Sequence, residues 1–184
     1  MKTVVKLFPV LVLFVVATSV AGQQSERERG IELYREGKFS EAIELLEKSV
    51  AANENDRSAW LYLGGAYVHT GRPDAAMKAF RRKPDTKLMV PPTTFDKTAK
   101  VISNPQARYS QEARRKRSSS TVRIAIELRA DGTIGFVFPL ETGLDDSLLR
   151  PAVEAAKGIR FEPAIKNGVP VTAINFVEYS FWAY

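Results

Sequence analysis

The chain of 184 residues contains no cysteine and a single histidine. The absence of cysteine excludes disulfides, thiolate metal sites, a cysteine nucleophile and a lipid-bearing cysteine at an export site. The lone histidine, His69, excludes a multi-histidine metal centre within one chain. No serine or carboxylate has a nucleophile motif around it, so His69 is expected to be structural, late in a helix where a cation suits the terminal carbonyls. No cofactor, metal ligand or catalytic residue is expected, and the chain does not read as an enzyme. A long apolar span is also missing. Crossing a bilayer takes about 20 apolar residues, whereas the N-terminal run extends only from Leu7 to Ala17 and holds Pro9.

What is present begins with an export pattern. Lys2 and Lys6 precede the apolar run, and Ser19-Val20-Ala21 offers small residues for cleavage before a polar stretch. Residues 1–22 are expected to be a signal peptide, cleaved after Ala21, with retention as an inner-membrane anchor as the alternative. Either route exports the rest of the chain, to a periplasm-like or extracellular space. The net charge of +6 is concentrated in the connector and the C-terminal part. Such an excess fits nucleic acid or an anionic membrane surface, and export decides against nucleic acid.

Residues 23–82 carry an internal repeat. Gly30 and Gly64, Leu33 and Tyr67, Gly37 and Gly71, Ala42 and Ala76, and Leu46 and Phe80 are each 34 residues apart. That is the period of a helix–turn–helix repeat. Small residues (Gly30, Ala42, Gly64, Ala76) fall where helices cross, and Leu33, Trp60, Tyr67 and Phe80 fill the space between them. Helices are expected at about 25–36, 39–52, 56–70 and 73–82. The positions of Trp60, Leu63, Gly64, Tyr67, Gly71, Ala76 and Phe80 resemble the tetratricopeptide family. Two repeats are fewer than the roughly three that bury a continuous core, so their ends need a cover: another chain, a capping helix or the C-terminal domain. They read either as a peptide-binding surface or as a spacer or dimerisation element.

Residues 83–99, with Pro84, Pro91 and Pro92, read as a basic linker. Residues 100–184 read as an α+β domain: a short helix from Ser110, a hairpin, a helix and a last strand, giving three antiparallel strands with two helices on one face. Arg114, Arg115, Lys116 and Arg117 are either a solvated helix end or a contact for lipid phosphates. Val122, Ile124, Ile126 and Leu128 alternate with Arg123, Ala125, Glu127 and Arg129, the pattern of one buried and one wet face. Asp131-Gly132 marks the hairpin turn, and Ile134, Phe136, Phe138 and Leu140 the partner strand, where Pro139 indicates an edge. Asp145 and Asp146 are expected to cap a helix that starts or kinks at Pro151 and stops at Gly158. The last strand, about Val171 to Trp182, is apolar on both faces and must be covered twice or expose a patch.

Residues 100–182 resemble the C-terminal domain of TonB-type energy transducers. The resemblance rests on Ala107-Arg108-Tyr109 before Ala113, Asp131-Gly132, the helix 145–157, Arg160-Phe161-Glu162-Pro163-Ala164, Gly168-Val169-Pro170-Val171 and Phe181. It implies a domain whose sheet accepts, by strand addition, the N-terminal box segment of an outer-membrane transporter. The contact regions it implies are Asn104 to Tyr109, with Asn104, Gln106, Arg108 and Tyr109, and the last strand around Ala173, Asn175 and Val177. Ser110 stands where the family usually has proline, and neither a long proline-rich spacer nor a histidine-bearing anchor is present. The expectation is a periplasmic adaptor whose repeats recruit a second partner. The alternative is an assembly scaffold or homodimer that uses the sheet edge for self-pairing without energy transduction.

Overall fold

The repeat helices come first because their spacing sets everything packed on them. The computed structural model describes residues 26–82 and 95–182. The expected signal peptide and most of the expected linker therefore lie outside the described residues. Helix α1 covers 26–35, followed by α2 (Phe39–Ala52), α3 (Arg57–His69) and α4 (Pro73–Arg81). The 34-residue offset is repeated in the packing. A Cβ on Gly30 would stand 2.8 Å from Leu46 Cγ, and one on Gly64 2.6 Å from Phe80 Cε1. Gly37 and Gly71 end α1 and α3 with left-handed φ of 78° and 70°. The turns close alike: Lys38 N donates to Leu33 O and Arg72 N to Tyr67 O, both at 2.8 Å. Only glycine adopts this stop without strain.

The C-terminal part adds β1 (Lys100–Ser103), α5 (Gln111–Lys116), β2 (Ser120–Leu128), β3 (Ile134–Pro139), α6 (Asp146–Lys157), β4 (Arg160–Glu162), β5 (Ala164–Lys166), β6 (Val169–Val171) and β7 (Ala173–Phe181). The main sheet has the order β3-β2-β7 and is antiparallel throughout. The fold is therefore α+β, with helical repeats ahead of a small antiparallel domain. Two short pairs supplement it: β1 with β4, and the hairpin β5–β6, turned by Asn167 and Gly168 with φ of 51° and 76°. These pairs were not legible, because three- and four-residue strands show no period.

Two apolar clusters form the core. One lies between the sheet and α6, and contains Val122, Ile124, Ile126, Leu128, Leu148, Ala152, Phe161, Val177 and Phe181. The other joins the repeats to the opposite sheet face: Tyr34, Leu46, Leu63 and Phe80 cluster with Ala125, Leu140 and Ile174, and Phe136, Phe138 and Phe176 pack against them. The repeats thus find their cover in the C-terminal domain, and the last strand is covered twice as far as Val177, beyond which Glu178 and Ser180 are exposed on one face. Three expectations change here. Ala125 and Glu127 are not on a wet face but fully buried under the repeats. Ile134 does not share a face with Phe136 and Phe138, since a bulge between Ile126 and Leu128 turns it toward the α6 side. Phe95 to Lys97, inside the expected linker, are docked: Phe95 packs on the repeat cluster, and Asp96 N donates to Ile165 O at 2.8 Å.

Pro151 sits inside α6, not at its start. Proline has no N–H for the carbonyl four residues back, and that carbonyl, Ser147 O, instead accepts the Ser110 hydroxyl at 3.0 Å. Ser110 also caps α5, accepting Ala113 N at 3.0 Å. Asp145 caps α6 by accepting Ser147 N at 2.9 Å. That backbone bond, with help from Ser147 and Lys116, holds the Asp145 carboxyl down to about 2.

Candidate partner-binding edge

The sheet has two outer strands, and the chain treats them differently. β3 carries Pro139, and the guanidinium of Arg81 donates to Leu140 O just beyond it, at 3.1 Å. Proline and a covering side chain both blunt an edge. β7 is nine residues long and pairs with β2 along its whole length; no strand lies on its other side among the described residues.

The direction of its main-chain groups follows from the register. Leu140 N donates to Arg123 O at 2.9 Å, so the main chain of Arg123 faces β3. Arg123 lies opposite Glu178. In an antiparallel ladder, opposite residues both face each other or both face away. Glu178 therefore turns its N–H and C=O outward, as do Ile174, Phe176 and Ser180 by the two-residue alternation. Asn175, Val177 and Tyr179 face β2. An independent contact agrees: Phe176 N donates to the Asn175 side chain Oδ1 at 2.8 Å. Asn175 thus folds its amide over an outward N–H of the strand.

The expected contact residues are placed as follows. Ala173 and Val177 are buried side chains whose main-chain groups face β2, so neither presents a contact group at the outer edge. Asn104, Gln106 and Arg108 are exposed in an extended segment that alternates with the half-buried Pro105, Ala107 and Tyr109. That segment runs beside β7: Tyr179 Oη donates to Asn104 Oδ1 at 2.8 Å, and the rings of Tyr109 and Phe181 are 6.0 Å apart. Tyr109 Oη donates to Ser118 O at 2.6 Å and so ties the segment to the end of α5. Burial pushes the Tyr179 phenol up to about 12. Segment and last strand form one continuous surface. The outward-facing set Ile174, Phe176, Glu178 and Ser180 was missed in the sequence; the signal that locates it is the register with Arg123, which no sequence pattern carries.

A buried polar cluster fixes how the repeats meet the sheet. Glu127 of β2 receives Tyr34 Oη of α1, His69 Nε2 of α3 at 2.9 Å and Arg129 Nε at 3.2 Å. Burial alone would push the Glu127 carboxyl up, but the hydrogen bonds from His69 and Tyr34 outweigh it and hold the carboxyl below its usual value. Burial and then the carboxylate raise the Tyr34 phenol well above its ordinary range. His69 therefore stands in the last turn of α3 as expected, but its partner is a carboxylate across the domain boundary. The ring also stacks on Phe39 at 3.9 Å. Two glycines leave the room: a Cβ on Gly135 would stand 1.8 Å from Glu127 Oε2, and one on Gly65 2.4 Å from Ile174 Cδ1. Trp60 and Tyr67 sit away from this junction, in a groove of about 380 Å³ between α2, α3 and α4.

Helical repeats are thus docked on a sheet whose β7 edge meets no further strand among the described residues. Residues 27–86 match the tetratricopeptide repeat family, and residues 105–181 match the family described as Gram-negative bacterial TonB protein C-terminal. The chain thus joins a segment similar to tetratricopeptide repeats to one similar to the TonB C-terminal domain, both families of interaction modules. A solution NMR structure of the Pseudomonas aeruginosa TonB CTD is similar over 47% of this chain and 87% of that chain, at 22% identity and a TM-score of 0.39. A comparison with curated proteins finds no match. No helix among the described residues is long and apolar enough to cross a membrane.

Proposed function

We propose that the chain is a periplasmic adaptor of the cell envelope that binds the box segment of an outer-membrane transporter by strand addition along β7. The observation that carries this reading is the outer side of β7. Its main-chain groups at Ile174, Glu178 and Ser180 point away from β2, while both faces of the strand are packed by the chain itself as far as Val177. Such a strand offers a partner its edge and little else, and an incoming extended segment satisfies that edge. Affinity is modest, because the segment is ordered on binding.

The repeats have a double role in this proposal. Their α1 and α3 surfaces hold the sheet, and the groove lined by Trp60, Leu63 and Tyr67 is where a second partner is recruited. The export signal at residues 1–22 delivers the protein to its place of action.

The test is a pull-down of the full chain with immobilised transporter box peptides. Retention is expected for the wild type and lost on Glu178→Pro, which removes an outward N–H while leaving the β2 ladder intact. Unchanged retention by a folded Glu178→Pro protein excludes this edge. No retention, together with a stable dimer that Glu178→Pro dissolves, assigns the edge to self-pairing and the chain to a scaffold.

A further inference from the structure

Arginines without carboxylate partners collect at one end of the C-terminal domain. Arg108, Arg114, Arg115 and Arg117 are all exposed. Among the described residues their neighbour Lys116 is paired, to Glu112 at 2.8 Å and Asp145 at 3.2 Å, whereas none of the four arginines has an acidic partner. Arg114 lies 5.9 Å from the centre of the Tyr109 ring, which itself packs on Phe181. Arg114 thus joins α5 to the segment before it and to the end of β7, and Arg108, Arg115 and Arg117 flank this junction in sequence. Unpaired cations are kept close together here although like charges repel, and an anionic counter-surface removes that cost.

Apolar side chains border this band. Of the three exposed large hydrophobic residues among those described, Trp182, 66% exposed, adjoins it, and Ile102, 58% exposed, lies on the strand that leads into the segment of Arg108. Trp182 directly follows Phe181, which lies opposite Ser120, so it sits beside the link from Arg117 to β2. Ile102 is on β1, two residues before Asn104. Arginine with flanking indole and aliphatic groups is the composition of an interfacial surface, where guanidinium groups meet phosphates and the apolar groups enter the headgroup layer. Exposed cations spread over a helix and the segment before it suit a broad array of charges better than a single acidic chain.

The geometry points to this band as a docking surface for an anionic phospholipid bilayer. It sits next to the edge of β7, so a membrane-bound molecule holds that edge close to the lipid surface. This goes beyond the partner reading above and does not depend on it.

The test is co-sedimentation of the full chain with vesicles of phosphatidylcholine alone and with vesicles containing one third phosphatidylglycerol. Lys2, Lys6 and the apolar run Leu7 to Ala17 are common to the wild type and the variants, so the readout is the part of the anionic-lipid gain that disappears with the arginines and in salt. Each basic residue near an anionic surface is worth about a fivefold gain in partition. The triple variant Arg114→Gln, Arg115→Gln, Arg117→Gln is then expected to lose about 100-fold of the anionic-lipid gain, with an unchanged unfolding midpoint. Trp182→Ala is expected to weaken binding with little change in its salt dependence. Equal binding to both lipids, or an anionic gain that survives the triple variant, overturns the proposal. So does an absent gain combined with arginine-dependent capture of a poly-glutamate peptide, which assigns the band to an acidic protein segment.

Discussion

His69 Nε2 lies 2.9 Å from Glu127 Oε1, linking the last turn of a repeat helix to the central strand of the sheet across 58 positions of sequence. The contact is largely buried, with side-chain exposures of 18% and 3%. A hydrogen bond to a charged group is worth about 1.5–3 kcal/mol. The double-mutant cycle of His69→Ala and Glu127→Gln is expected to give a coupling in that range by urea unfolding. Additive effects would show that the two parts of the chain pack independently of this pair.

The same cluster sets a pH dependence. The folded value of the Glu127 carboxyl lies below its ordinary one, so its contribution is present above the unfolded value of roughly 4.3 and is lost as pH falls through the folded value. The stability gap between wild type and Glu127→Gln is therefore expected to be constant near neutrality and to close in acid. Unfolding curves taken from pH 7 down to about 3 check the sign.

Gly135 is required by that carboxylate, not by its own backbone. An added Cβ would stand 1.8 Å from Glu127 Oε2, so Gly135→Ala is expected to cost about 2 kcal/mol or more. The cost should fall by at least half in a Glu127→Ala background, where the carboxylate is gone and only the flexible Arg129 side chain, with Nε 2.8 Å from the added Cβ, has to move. Equal costs in both backgrounds would place the effect in the bulge backbone.

The repeat helices and the antiparallel sheet were legible because their signals are local and periodic. Gly30 and Gly64 announce a helix pair twice, and Asp131-Gly132 announces a hairpin. Glu127 shows where that legibility ends. In an alternating strand it reads as a solvent-facing residue, and only the arrival of Tyr34 and His69 from the repeats makes it a buried one. The partner-binding surface has the same limit. The last strand is visible as apolar on both faces, but which of its amides face outward depends on register with β2.

Asn175 covers one of those amides. Its Oδ1 accepts Phe176 N at 2.8 Å, so an incoming strand has to displace it. Asn175→Ala is expected to tighten box-peptide binding by about three- to tenfold, the worth of one net hydrogen bond, as measured by fluorescence anisotropy. Weaker binding would mean that the amide contacts the peptide and does not guard the edge.

Because the chain has no native cysteine, the edge is open to directed cross-linking, the most direct test of the central claim. Single Glu178→Cys and Ser180→Cys variants are treated with box peptides carrying one cysteine at successive positions, with Thr133→Cys beside β3 as the control. Strand addition along β7 predicts disulfides from Glu178→Cys and Ser180→Cys in one fixed register, shifted by two peptide positions between them, and none from Thr133→Cys. Capture at Thr133→Cys, or capture at Glu178→Cys and Ser180→Cys without a register, would contradict it.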